Sequence, residues 1–210
     1  MPLIQTSAPG LEPVTLAETK NLLRLDSDLT ADDALITMLI GAARRYAESY
    51  CNSSFVSQGW RMVLDSFPGP SLMGVPYGAP YTLPGHAILL ERGPVIALNS
   101  ITYLAMDGTT QTMPAANYVA DLSGMLPRIT PVFGQIWPIP MPQIGSVAVN
   151  YTTGYGTTAA SVPEGIRDWV LMRVKSRYDM RGEVAIAGRG KIEPLPWVDS
   201  LLDPYRVVQA

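Results

Sequence analysis

"RGPVIALNSITYLAMDGTTQT", residues 92–112, reads as a strand, a turn and a second strand. Apolar and β-branched residues fall on either side of Asp107-Gly108, and glycine takes positive φ at no steric cost, so the pair predicts a hairpin with a type I′ turn. From Gly93 onward the stretch holds one charged side chain, Asp107. A sheet that faces water normally carries charge on its outer face and lysines on its edges. Neither is present here, which predicts that other chains cover this surface.

The charge-poor region extends well beyond the hairpin. From Gly93 to Val162 the only charged residues are Asp107, Asp121 and Arg128. Period-two patterning and turn residues predict strands at Phe55–Phe67, Ala87–Glu91, Ala97–Met106, Thr109–Met113, Asn117–Asp121, Leu126–Thr130 and Ser146–Thr152. Residues 68–86 are rich in Pro and Gly and read as a long projecting loop.

Helical patterns flank this β unit. In "EPVTLAETKNLLRLD" (12–26), Thr15 and Glu18 have the spacing of a capping box, and the helix runs to about Leu25. A second helix starts at Thr30, with Asp32 and Asp33 in its positive first turn and an apolar stripe of Leu35, Met38, Leu39, Ala42, Tyr46 and Tyr50. A third follows Ser161 as its cap, with Pro163 in the first turn and Ile166, Trp169, Val170 and Val174 against Arg167, Arg173, Lys175, Arg177 and Arg181. The fold class is therefore α+β. A helical core (1–53 and 161–182) holds an inserted antiparallel β unit (54–160), and a linker with an apolar tail follows (183–210). A tail carrying Trp197, Leu201, Leu202, Tyr205, Val207 and Val208 must dock somewhere.

Composition narrows the functional classes. The chain has 210 residues, a net charge of -3, 16% charged and 47% hydrophobic residues, and a mean hydropathy of +0.14. Clustered cations for a phosphate backbone are missing, which argues against a nucleic-acid binder. The longest apolar run, Ala34–Ala43, is too short for a bilayer, no signal peptide is expected, and no membrane partner is expected. One cysteine, Cys51, excludes an internal disulfide framework and fits synthesis in a reducing cytoplasm.

Catalytic, metal and cofactor residues are all read as none. His86 is the single histidine and lies in the Pro/Gly loop without a ligand partner; a surface histidine is the plainer reading. Cys51 has no histidine to activate it and reads as a packed thiol. Asp32 and Asp33 are adjacent on a helix and point apart, so a helix-dipole role is preferred to a carboxylate pair. "AIAGRGKI" (185–192) follows a helix and lacks the first Gly and closing Ser/Thr of a phosphate loop. Trp137 with Tyr77, Tyr81, Tyr151 and Tyr155 supports a second reading, a carbohydrate-binding or other β-rich accessory module, although such aromatics more often anchor cores or interfaces.

The third-helix arginines Arg167, Arg173 and Arg177 read either as a solvated face or as a surface for the acidic first helices of a neighbouring copy. That makes them, with Asp32 and Asp33, subunit-interface candidates. Ile101 and Tyr103, on the charge-poor hairpin, are candidates for the same reason.

The ordered segments "EPVTLAETKNLLRLD", "DDALITMLIGAARRYAESY", "FP", "RGPVIALNSITYLAMDG", "YVADLSGMLPRITP", "IWP", "VAVNYTTGYG", "VPEGIRDWVLMRVKSRYDMR" and "LLDPYRV" resemble the small head-to-tail connector (adaptor) proteins of long-tailed bacteriophages, prophages and gene transfer agents. The resemblance covers nearly the whole chain. It implies a non-enzymatic virion protein in the neck between capsid and tail, made in the host bacterial cytoplasm. About a dozen copies would form a ring through which DNA passes without sequence-specific contact. It further implies a tail-side neck or stopper protein as one partner and the portal protein as another. Leu195, Trp197, Leu201, Leu202, Pro204, Tyr205 and Arg206 are the residues expected to dock on the portal, the alternative being that they fold back on their own core. The loop at 68–86 is longer than the family pattern, so its contacts do not carry over.

Overall fold

A computed structural model describes residues 2–69, 87–180 and 200–207. The chain forms two compact units: residues 10–56 and 155–210 make a helical unit, and residues 1–9 and 57–154 make a β unit.

The helical unit contains α1 (Leu16–Leu23), α2 (Asp33–Cys51) and α3 (Glu164–Asp179). The Glu18 amide donates to Thr15 Oγ1 (3.1 Å) and the Thr15 amide to Glu18 Oε2 (2.8 Å), the reciprocal bonds of a capping box. The Thr15 amide, the Thr15 hydroxyl and the guanidinium of Arg167 all favour the ionised form of Glu18 and hold its carboxyl below the ordinary value. Thr15→Ala should lower unfolding free energy by about 1 kcal/mol, measured by urea titration.

α2 begins at Asp33, three residues after the expected start at Thr30, and the predicted apolar stripe is rotated by about one position. Ile36, Leu39, Ile40, Ala43, Ala47 and Cys51 are buried, whereas Met38 (58% exposed) and Tyr46 (52%) face outward. The buried stripe mixes large residues with small ones at spacings of three and four, which lets the helix backbone approach its neighbours closely. Ile166, Trp169, Val170 and Val174 of α3 complete the core with Val14, Phe55, Val56, Val162 and Leu202. Ser161 does not cap α3: it lies in a preceding 3-10 turn (Ala159–Ser161), its hydroxyl bonds the Thr158 carbonyl, and Pro163 occupies the cap position.

Among the described residues the β unit has eight strands: β1 (Leu3–Ser7), β2 (Gln58–Leu64), β3 (Ile88–Leu89), β4 (Val95–Leu104), β5 (Thr110–Thr112), β6 (Tyr118–Asp121), β7 (Arg128–Pro131) and β8 (Val147–Thr153). One antiparallel sheet runs β1-β2-β8-β4-β5 and a second runs β3-β7-β6. Each of the seven expected strands is present, shortened or shifted at its ends. β1 is the unexpected one, because residues 1–53 read as part of the helical core while Leu3–Ser7 pairs with β2 at the sheet edge. Six residues between Pro2 and Pro9 carry too little periodicity to announce a strand.

β8 is central, with Tyr151 opposite both Trp60 and Leu98. Val147, Ala148 and Val149 are buried in succession, and burial then alternates, with Asn150 and Thr152 half-buried beside buried Tyr151 and Thr153. The core also takes Met62, Leu64, Phe67, Ile88, Leu90, Ile101, Ile129, Trp137 and Val149.

The 92–112 hairpin is present with a different turn. The Gly108 amide bonds the Ala105 carbonyl (2.9 Å), only Gly108 takes positive φ (80°), and Leu104 pairs with Thr110. This three-residue loop, with its bulge at Gly108, replaces the two-residue type I′ turn. Asp107 is the reason: its carboxylate accepts from the Thr109 amide (2.9 Å) and hydroxyl (2.7 Å), which favours negative φ at Asp107.

Candidate functional site

The surface with the strongest case for a role is the segment joining β7 to β8, residues 132–145. It is held as one structure. The Gln135 amide closes a turn on the Val132 carbonyl (2.9 Å), and Gly134 at the third position has φ 80°, as a type II turn requires. The Val132 amide donates to Asn117, the Met141 amide to Leu104 (2.8 Å), and the Gly145 amide to the Asp65 carboxylate (2.8 Å). Trp137 turns inward, 8% exposed, and stacks on Phe67 with ring centroids 4.9 Å apart.

Pinned in this way, the segment displays apolar side chains to the outside: Phe133 (103% exposed), Ile136 (85%), Ile139 (78%) and Ile144 (89%). Beside them lies a groove of about 220 Å³ walled by Tyr103, Met113, Pro114, Asn117 and Trp137. No charged residue occurs between Arg128 and Glu164, and Arg128 is itself paired with Asp121 at 3.1 Å. A rigid backbone with outward isoleucines and no charge suits burial against protein. Residue-by-residue reading missed these four side chains. The signal was the missing charge, since the segment has no period of its own.

The sequence-predicted site residues lie elsewhere, and many are committed to the chain's own packing. Ile101 is fully buried and belongs to the core, whereas Tyr103 is half-buried, packs edge-on against Phe67 and walls the groove. Asp33 pairs with Lys20 (2.6 Å), and Asp32 accepts from the Tyr178 hydroxyl. Arg167 bonds Glu18 at 2.5 Å and the Pro13 carbonyl at 3.1 Å. Arg173 lies 5.3 Å over the Tyr46 ring, which itself stacks on Trp169. Arg177 is exposed on α3.

The tail residues divide. Leu202 is 1% exposed inside the helical core, with Leu201 and Tyr205 packed against it, so these three fold back on their own unit. Pro204 and Arg206 are exposed, and Arg206 caps the Tyr50 ring at 5.1 Å. Leu195, Trp197, His86, Tyr77, Tyr81 and Arg181 lie outside the described residues.

The sugar-platform reading fails on burial. Trp137 and Tyr151 present no open ring face, because both are core, and the Tyr151 hydroxyl bonds the Glu91 carbonyl (3.0 Å). Cys51 is buried, its thiol faces the Leu202 carbonyl, and burial pushes its pKa up to about 11. That is the opposite of what a nucleophile needs. Among the described residues no three His, Cys, Asp or Glu side chains group as a metal site, and no helix is long and apolar enough to cross a membrane.

Residues 13–76 match the family described as Phage gp6-like head-tail connector protein. The fold is also found in solved assemblies, with 100% of this chain and 97% of the other covered in each case. These are a chain from the neck of an empty gene transfer agent particle computed with C6 symmetry (21% identity, TM-score 0.75), one from the virion of the native particle (22%, 0.77), and one from its neck computed with C12 symmetry (19%, 0.72). No curated protein sequence matches. In sequence over residues 13–76, and in fold along its whole length, the chain is similar to the head-tail connector and neck proteins of phage-like particles.

Proposed function

We propose that this protein is a structural, non-enzymatic head-to-tail connector subunit, and that copies of it close into a ring in the neck of a virion or gene transfer agent particle. The observation that carries the reading is the connector-family match over residues 13–76, on a fold shared end to end with neck chains. The outward Phe133, Ile136, Ile139 and Ile144 support it, since a neck component surrounded by other chains has a reason to leave such residues uncharged and exposed.

In this reading DNA passes through the ring without being gripped, in keeping with a net charge of -3. The portal lies on one side and a tail-side neck or stopper protein on the other. The portal contact is assigned to the exposed Pro204 and Arg206, together with Leu195 and Trp197; Leu201, Leu202 and Tyr205 drop out because their own core uses them.

Native mass of the full chain across a concentration series, with negative-stain imaging, tests the ring. A closed particle with a central hole and a fixed copy number is expected. Disordered aggregates or a closed dimer would overturn it.

A further inference from the structure

The geometry points to β1 and β5, the two edges of the five-stranded sheet, as complementary contacts that join one copy of this chain to the next. This rests on the ring reading above and names the strands that close it.

A head-to-tail ring needs two different surfaces on each subunit that fit each other. Among the described residues, the sheet order β1-β2-β8-β4-β5 leaves one edge without a further strand at each end. Every pairing along that order is antiparallel, so four reversals leave β1 and β5 running in the same direction. Copies related by rotation about an axis along the strands then bring β5 of one against β1 of the next as a parallel pair.

The hydrogen-bond pattern shows which groups are on offer. The Val63 amide bonds the Pro2 carbonyl, so Pro2 and Ile4 face β2 while the backbone of Leu3 and Gln5 faces outward. The Met113 amide bonds Ile101 and the Ala105 amide bonds Thr109, so Gln111 faces β4 while Thr110 and Thr112 face outward. Each edge therefore presents two amides and two carbonyls in an alternating row.

Neither edge is guarded. "LIQTS" and "TQT" contain no charge and no proline, the devices that keep free edges from pairing. Two neutral edges at opposite ends of one sheet fit each other, and they fit no polyanion such as DNA. They also continue the β unit from copy to copy, through the part of the sequence poorest in charge.

The test compares the full-length wild type with Thr112→Pro and Thr112→Lys by light scattering over concentration, alongside thermal melts. Proline removes an amide that β4 does not use, and lysine places charge on the edge without touching a backbone bond. Each variant should raise the half-assembly concentration by about tenfold or more, with the melts unchanged. Gln5→Pro should raise it likewise from the opposite edge, with a lower melting temperature because it also removes the Gln5 Nε2 bond to Gln58 Oε1 (2.5 Å). If proline disturbs folding, the lysine variant decides. Rings that form at the wild-type midpoint in both Thr112 variants overturn the edge contact and leave the ring reading standing. A wild type that stays monomeric throughout overturns the edge contact together with unaided ring closure.

Discussion

Leu202→Ala is expected to lower the unfolding free energy by about 2–5 kcal/mol, read from the midpoint of a urea titration. Leu202 is 1% exposed and sits in the cluster formed by α2, α3 and Phe55. Truncation there leaves a cavity, because the surrounding side chains relax only partly. The segment around it is fastened as well. The Val207 amide bonds the Cys51 carbonyl (2.9 Å), and the Tyr205 ring meets Tyr155 edge-on at 6.4 Å. Deleting residues 200–210 should therefore cost more than the point substitution and unfold the helical unit. A deletion that keeps the melting temperature and loses only portal binding would restore these residues to a docking role.

Arg44→Ala should cost about 3–5 kcal/mol, measured by the same titration, because it breaks a buried ion pair from one side. Arg44 Nη1 lies 2.7 Å from Glu48 Oε2 and its Nε 2.7 Å from Glu12 Oε2, with side-chain exposures of 7% for Arg44 and 9% for Glu48. Burial pulls the guanidinium's pKa down; the Glu12 and Glu48 carboxylates outweigh it and hold it above its ordinary value. Glu48 Oε1 also accepts the Phe55 amide (3.0 Å), which ties the residues after α2 back to the helix. Without Arg44 the Glu48 carboxylate stays buried and loses its ion-pair partner. A double variant, Arg44→Met with Glu48→Gln, should recover much of the loss, since it removes both charges together. A loss under about 1 kcal/mol for the single variant would mean that water reaches the pair.

Arg44 is a good measure of what the sequence hides. In "IGAARRYAESY" Arg44 and Arg45 look equivalent, yet one is buried and the other exposed. The difference is a rotation of about one residue in which face of α2 meets the core. Hydrophobicity alone favoured the face with Met38 and Tyr46. The packed face uses Ala43, Ala47 and Cys51, and buries Arg44 and Glu48 as a mutually neutralised pair. Ile101, one of the predicted interface residues, lies inward for a related reason. Ile101 belongs to a hairpin poor in charge, but its own side chain points at Val149 and the core, and the exposed apolar groups come from the irregular segment after β7.

What the sequence by itself determined was local. The capping box at Thr15 and Glu18, seven of the eight strands among the described residues, the reversal at Asp107-Gly108 and the shortage of charge all follow from neighbouring residues and composition. Only the tertiary structure decided the rest. It joined Leu3–Ser7 to β2, drew Leu202 into the helical core, turned Trp137 inward and Phe133 outward within one loop, and set β1 and β5 at opposite edges of a sheet. Each of these is a contact between residues far apart in the chain, chosen by how volumes fill a common core and how backbone groups find partners. Residue spacing carries no record of that choice.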